Sequence, residues 1–190
     1  MRHLILVIVL ASLLGLSGCG GSMGSTSFLH PGFDFGFIEQ VGVVPFENLS
    51  ADQSGGARAT RYFTTALLSA EAFDVVEPGE VSRALEKQGL ISTAQLTEEQ
   101  AISLGRELRV QGLFLGSMSE SARLRSGSKN VTVVTVNIRL VETETGTTVW
   151  SVTNTEDSSS FWSNLFGTNQ KSPSEVTRRC IDGCLDSLLD

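Results

Sequence analysis

An unbroken two-residue alternation in the second half of the chain constrains the fold most. Residues 134–140 read VTVNIRL, so apolar and polar side chains follow one another without a break. Successive side chains of a β-strand point to opposite faces of the sheet, and the run therefore predicts a long strand with one covered and one wetter face. A strand over 112–118 and another over 148–152 complete a three-strand meander, with a polar hairpin tip at 119–130 and a tight turn at 144–146.

Helical spacing of apolar residues appears in four other places. It predicts helices over 57–70, over 80–88, after Thr97 and after Pro173. Thr97 and Gln100 have the spacing of a capping box, in which each side chain satisfies an exposed backbone N–H of the other residue. Two short β-rich runs, at 41–46 and 73–76, precede the first two helices.

The resulting order is β-α-β-α-α-β-β-β-α. Helices must then cover the apolar faces of a mixed five-stranded sheet, which predicts the α/β class and one layered domain over 33–190. The chain has 190 residues, of which 41% are hydrophobic, and this is sufficient for one packed core.

The N-terminus has the features of an export signal that ends at one cysteine. Arg2 and His3 precede an apolar run over 4–16 that is too short for a membrane helix. The residues LSGC at 16–19 resemble the lipobox of bacterial lipoproteins, although a signal peptide that happens to contain cysteine would look similar. The resemblance implies cleavage after residue 18, acylation of Cys19 and membrane retention by buried acyl chains, each methylene contributing about 0.8 kcal/mol.

The residues after Cys19 predict how the body is attached and where. Glycine instead of aspartate at position 20 favours the outer membrane, by resemblance to the sorting rule of Gram-negative lipoproteins. Residues 19–32 are rich in Gly and Ser and predict a flexible tether. The three segments are thus a signal peptide over 1–18, a lipidated tether over 19–32 and a periplasmic domain over 33–190.

Four runs in order resemble one family of envelope proteins. They are VGVVPFENLS, FDVVEPGEVSRALEKQGL, TEEQAISLGRELRVQGLFLGSM and VNIRLVETETGTTVWS, between residues 41 and 152. They resemble the domain shared by CsgG, LpoB, FlgO and the N-terminal part of TolB. The resemblance implies a non-enzymatic accessory module that binds an envelope protein partner, with a homo-oligomer also possible. The alternative is a subunit of a CsgG-like secretion channel, but the insertions at 119–130 and 155–172 are short for membrane hairpins.

Composition argues against several other functions. The net charge is -7 and no segment concentrates basic residues, so we expect no nucleic-acid partner. His30 is the only histidine after the signal segment, and it lies in the predicted tether. A general base must be held rigidly near its nucleophile, which argues against a Ser-His-Asp triad or a Cys-His dyad. We therefore expect no catalytic residue, no cofactor and no metal site. Ser54-Gly55-Gly56 could present backbone amides to an anion beside Arg58 and Arg61, but a plain loop is the favoured interpretation.

Two further clusters are candidates for a role. Cys180 and Cys184 lie four residues apart on the last predicted helix, where a disulfide is at the edge of the allowed geometry and two buried thiols are the plainer interpretation. An aromatic and aliphatic cluster interrupts the polar stretch over 155–172. It folds onto the core, forms a docking patch or inserts into the bilayer surface. Its members are Phe161, Trp162, Leu165 and Phe166.

Overall fold

The computed structural model describes residues 24–126, 129–158 and 171–189. Within these ranges the chain forms one seven-stranded sheet with four α-helices packed on its two faces. The strands are β1 (Ser25–Leu29), β2 (Gln40–Val43), β3 (Glu47–Asn48), β4 (Asp74–Val75), β5 (Gly112–Ser126), β6 (Lys129–Glu142) and β7 (Thr148–Asp157). The helices are α1 (Gly55–Ala70), α2 (Pro78–Gln88), α3 (Glu98–Leu108) and α4 (Pro173–Leu189).

The sheet is mixed, as predicted. Its order is β1-β7-β6-β5-β2-β4, and the short strand β3 pairs with β5 beyond the end of β2. Strand β2 pairs in parallel with β4 and with β5, and β3 also pairs in parallel with β5. Strands β5, β6, β7 and β1 form a continuous antiparallel part. The predicted α/β class, with one layered domain, is confirmed; the predicted count of five strands omitted β1 and β3.

The strand β1 lies inside the segment that was predicted to be a flexible tether. It pairs antiparallel with β7 from Ser25, opposite Asn154, to Leu29, opposite Trp150. The backbone groups along β7 need hydrogen-bonding partners, and β1 supplies them although its own side chains are all exposed. Residues 25–29 are therefore part of the sheet, although the sequence assigned them to the tether.

The hairpin of β5 and β6 is longer than predicted. The segment 119–130 was expected to be a polar tip, but the antiparallel ladder continues until Ser126 faces Lys129. A bulge between Met118 and Glu120 shifts the register along the way. Backbone pairing continues the ladder through this segment, in which Ala122 and Leu124 lie opposite Val133 and Val131.

The predicted capping box of α3 is present. The Thr97 hydroxyl accepts a hydrogen bond from the backbone N–H of Gln100 at 3.3 Å, and the Gln100 side chain accepts one from the backbone N–H of Thr97 at 2.9 Å. These bonds satisfy two donors that the helix leaves unpaired and fix its start. The loop between α2 and α3 is thereby held at one end, and it forms a wall of the surface described next.

Candidate binding surface

Among the described residues, the helices cover the two faces of the sheet unequally. Helices α1 and α4 pack on one face, over the large apolar cluster that contains Phe114 and Trp150. Helices α2 and α3 pack on the other face, over a smaller cluster on β2 and the start of β5. The remainder of this second face, which we call the open face, is formed by polar side chains of β6 and β7 beside β1.

A groove runs along the open face. It has a volume of about 300 Å³ and lies between β1 and the loop that joins α2 to α3. Phe28, which is 47% exposed, forms the wall on β1, and Ala94 belongs to the opposite wall. The groove floor includes polar side chains of three strands: Ser117, Asn137, Arg139, Ser151 and Thr153.

Hydrogen bonds connect the polar side chains on this face. The Thr153 hydroxyl donates to Asn137 Oδ1 at 2.8 Å, and Asn137 Nδ2 donates to Ser119 Oγ at 2.8 Å. The hydroxyls of Thr135 and Thr155 lie 3.0 Å apart on the next rung. Because these groups restrain one another, the surface is preorganised and a partner would order few side chains on binding.

Arg139 fixes the wall of the groove. Its Nη2 donates to the carbonyl oxygens of Ala94 at 3.4 Å and Leu96 at 3.2 Å. Thr93 Oγ1 donates to the carbonyl oxygen of Pro45 at 2.8 Å and holds the same loop from its other side. Burial lowers the pKa of the Arg139 guanidinium, which still carries its charge at neutral pH. Within the described ranges Arg139 forms no ion pair, so it gives the floor of the groove a positive charge.

The loop at Ser54-Gly55-Gly56 has a packing role that the structure explains. A Cβ atom on Gly56 would lie 2.7 Å from the carbonyl oxygen of Phe46, and one on Gly55 would lie 2.6 Å from Met118 Sδ. The two glycines therefore let the start of α1 approach β3 and β5 closely. Arg58 forms a 2.6 Å ion pair with Asp52. These contacts explain the loop without an anion.

The structure places Cys180 and Cys184 as free, buried thiols on the side of α4 that faces the sheet. This differs from the disulfide alternative. Cys180 Sγ donates to the carbonyl oxygen of Asn154 at 3.3 Å. The hydrogen bond with Cys180, together with burial, raises the pKa of the Cys184 thiol well above its ordinary value. A protonated, buried thiol is a poor nucleophile, so this pair stabilises packing.

The remaining site residues that the sequence predicted are not among the residues that the structure describes. Cys19 and the aromatic cluster of Phe161, Trp162, Leu165 and Phe166 lie outside the described residues. Among the residues that are described, no group of three or more His, Cys, Asp or Glu side chains could hold a metal ion. No helix in those ranges has the length and apolar character of a membrane span.

The sequence indicated one component of the open face and missed the others. The alternation at Thr135, Asn137 and Arg139 predicts a wetter side of the sheet, and these residues do lie on the open face. The groove also needs β1 and the loop after α2. Only the threonine and phenylalanine in STSFL hint at β1, since both residue types favour strands.

A family model agrees with part of the resemblance. The model described as peptidoglycan-synthase activator LpoB matches residues 39–155. Of the four names in the resemblance, LpoB is confirmed, and CsgG, FlgO and TolB are not confirmed. The chain has no significant match among curated proteins.

Solved structures share the fold. A single-residue variant of PelC from Paraburkholderia phytofirmans, described as a dodecamer, has 18% sequence identity and a TM-score of 0.59, covering 87% of this chain and 98% of that one. Lipoprotein GNA1162 from Neisseria meningitidis has 20% identity and a TM-score of 0.59, covering 80% and 98%. The LpoB C-terminal domain from Salmonella enterica has 20% identity and a TM-score of 0.51, covering 66% and 86%. At such identities these matches show the fold alone.

Proposed function

The chain belongs to the family of the peptidoglycan-synthase activator LpoB, and from this premise we propose that it is a non-enzymatic accessory lipoprotein of the bacterial cell envelope. It is anchored to the outer membrane through acylated Cys19, faces the periplasm and binds an envelope enzyme through its open face. The observation that carries the proposal is that the described helices cover the sheet unevenly: β6, β7 and β1 present a preorganised polar surface with an exposed aromatic side chain, Phe28.

The anchor and β1 together restrict the position of the domain. Six residue steps separate Cys19 from Ser25, and an extended chain spans at most about 3.4 Å for each step. The edge of the sheet at β1 would then lie within about 20 Å of the bilayer surface. The partner would have to approach the open face close to the membrane.

Replacing Cys19 by serine tests the anchor. We expect Cys19→Ser to move the protein from envelope vesicles into the soluble periplasmic fraction and to abolish labelling with radioactive palmitate, because serine offers no thiol for the diacylglycerol. The control Ser22→Ala should leave both readouts unchanged. Retention of the serine variant on vesicles would contradict lipid anchoring.

Two substitutions on the open face test partner binding. We expect Phe28→Ala and Ser151→Lys each to weaken binding to a purified peptidoglycan synthase of the same bacterium about tenfold or more, since the first removes an aromatic contact and the second adds a charge beside Arg139. Ser82→Lys, on the exposed side of α2, is the matched control. Titration calorimetry measures affinity, and thermal melting checks that all variants fold.

The result of this binding experiment distinguishes an error in the proposed surface from an error in the proposed function. If both open-face variants bind and stimulate the synthase as the wild type does, the proposed surface is wrong even if the family function is right. If wild type fails to bind any peptidoglycan synthase, the activator function itself is contradicted. In that case the family membership and the fold would remain.

A homo-oligomer is a second candidate for the partner. The outer edge of β1 is exposed along all five residues, and such an edge can pair with a strand of another chain. The similarity to a protein described as a dodecamer makes self-association worth measuring. Light scattering of the full chain in non-ionic detergent would distinguish a monomer from an oligomer.

The secretion-channel alternative receives less support. Strands that cross a membrane need about 9 to 11 residues with an apolar lipid-facing stripe. The β5–β6 hairpin instead carries Arg123 and Arg125 where it extends past the end of β7. Conductance of the purified protein in planar bilayers would favour the secretion channel over the accessory module.

A further inference from the structure

A second groove lies at another part of the molecule, away from the open face. It is bounded by Phe35 and Glu39 before β2, by the segment between α1 and β4, and by the end of α4, and it has a volume of about 580 Å³. Phe73 and Leu188 are half-buried and pack against the core, whereas Leu189 is 47% exposed. The groove therefore offers apolar contacts to a partner that can reach them.

Three carboxylates surround this apolar groove. They belong to Glu39, Glu71 and Asp74, and all three residues are exposed. None of them forms an ion pair with a described residue, whereas Asp52, Glu107 and Glu156 elsewhere in the fold are paired at 2.6–2.7 Å. The groove thus combines apolar surface with uncompensated negative charge. A complementary partner surface would be apolar and cationic.

The backbone at Glu71 has an unusual conformation for a residue that is not glycine. Glu71 follows the last turn of α1 with φ of +52°, in the left-handed region that favours glycine. Helix α2 ends in the same conformation with Gly89, at φ of +66°, and α3 ends in it with Arg109, at φ of +58°. A glutamate therefore occupies a position where glycine would be more stable. Its carboxylate forms no ion pair with a described residue that would offset the backbone strain.

We propose that this acidic groove binds a cationic amphipathic segment of a partner protein. Leucine-like side chains of the segment would occupy the apolar floor beside Phe73 and Leu188, and lysine or arginine side chains would pair with Glu39, Glu71 and Asp74. The proposal concerns a second interaction surface and does not depend on the open face. An anionic membrane surface or an acidic segment would be repelled by the same carboxylates.

A pair of model peptides tests the charge preference. The probe is a fourteen-residue helical peptide of leucine and lysine, compared with a peptide in which glutamate replaces every lysine. We expect only the lysine peptide to bind the full chain in non-ionic detergent and to shift the NMR signals of Phe73 and Leu188. Binding of both peptides with similar affinity would overturn the proposal.

Substitution of the three carboxylates tests the location. The variant Glu39→Gln, Glu71→Gln and Asp74→Asn should weaken binding of the lysine peptide about tenfold or more. The matched control Glu77→Gln, Glu86→Gln and Glu144→Gln removes the same charge from other exposed positions and should have less than a twofold effect. Equal loss in both variants would mean attraction by net charge only, and would overturn the groove as the site.

One single substitution separates binding from folding. Glu71→Gly should raise the melting temperature, because glycine relieves the left-handed strain, and should weaken binding of the lysine peptide severalfold. A structural role for Glu71 would instead lower the melting temperature. Unchanged affinity in Glu71→Gly would overturn its place in the groove.

Discussion

Replacement of Phe114 by alanine is expected to lower the free energy of unfolding by about 3–5 kcal/mol. Phe114 is fully buried on β5, the strand that joins the parallel and antiparallel parts of the sheet. Its ring lies 5.0 Å from that of Phe63, 5.9 Å from that of Phe73 and 6.2 Å from that of Trp150. Alanine would leave a cavity at the centre of this aromatic cluster, which cannot collapse without moving both α1 and β7.

Urea denaturation followed by circular dichroism measures this effect. A domain of this size has about 5–15 kcal/mol of stability, so the variant would lose a large part of it and would unfold near physiological temperature. Phe28→Ala is the matched control because that ring is 47% exposed, and it should cost less than about 1 kcal/mol. A loss below about 1 kcal/mol in Phe114→Ala would contradict the placement of this ring in the core.

Sequence reasoning located the strands and helices whose own residues follow a recognisable local pattern. The alternation over 134–140 and the capping box at Thr97 are local patterns, and both elements are present in the structure. The missed strands have no such pattern. All five residues of β1 are exposed, and β3 has only two residues, so their backbone pairing with β7 and β5 stabilises them.

The same distinction explains why the open face could be predicted only in part. Strand alternation assigns Thr135, Asn137 and Arg139 to one side of the sheet, whatever lies above them. The groove depends on which elements cover that side. Neither the position of β1 nor the contact of Arg139 with the carbonyl oxygens of Ala94 and Leu96 follows from a local pattern. Contacts between residues far apart in sequence determine the groove.

The other large effect is expected for Arg58→Met. Arg58 is only 8% exposed, and its guanidinium joins three elements. It pairs with Asp52 in the loop before α1 at 2.6 Å, donates to Thr177 of α4 at 3.2 Å and lies 3.5 Å from Ser121 of β5. Methionine preserves much of the side-chain length but leaves Asp52 without its counter-ion. We expect a loss of about 2–3 kcal/mol, below the full cost of breaking a buried pair because Asp52 keeps some contact with water.

This loss should depend on pH. The hydrogen bond from Arg58 lowers the pKa of Asp52 to about 2, from the ordinary value of 3.8. A lowered pKa in the folded state means that the stabilisation is complete above the unfolded pKa near 3.8 and disappears as the pH falls toward 2. The difference in stability between wild type and Arg58→Met should therefore be constant from about pH 5 to 8 and shrink below about pH 4.

Guanidinium denaturation at pH 7, 5, 4 and 3 measures this difference. Arg83→Met is the matched control, because Arg83 lies on the exposed side of α2 and its ion pair with Glu80 is 3.9 Å long. That variant should lose less than about 0.5 kcal/mol at every pH. If the Arg58→Met difference stayed constant down to pH 3, the lost stability would come from the contacts with Thr177 and Ser121. The charge of Asp52 would then contribute little, and the loop before α1 would be held mainly by neutral hydrogen bonds.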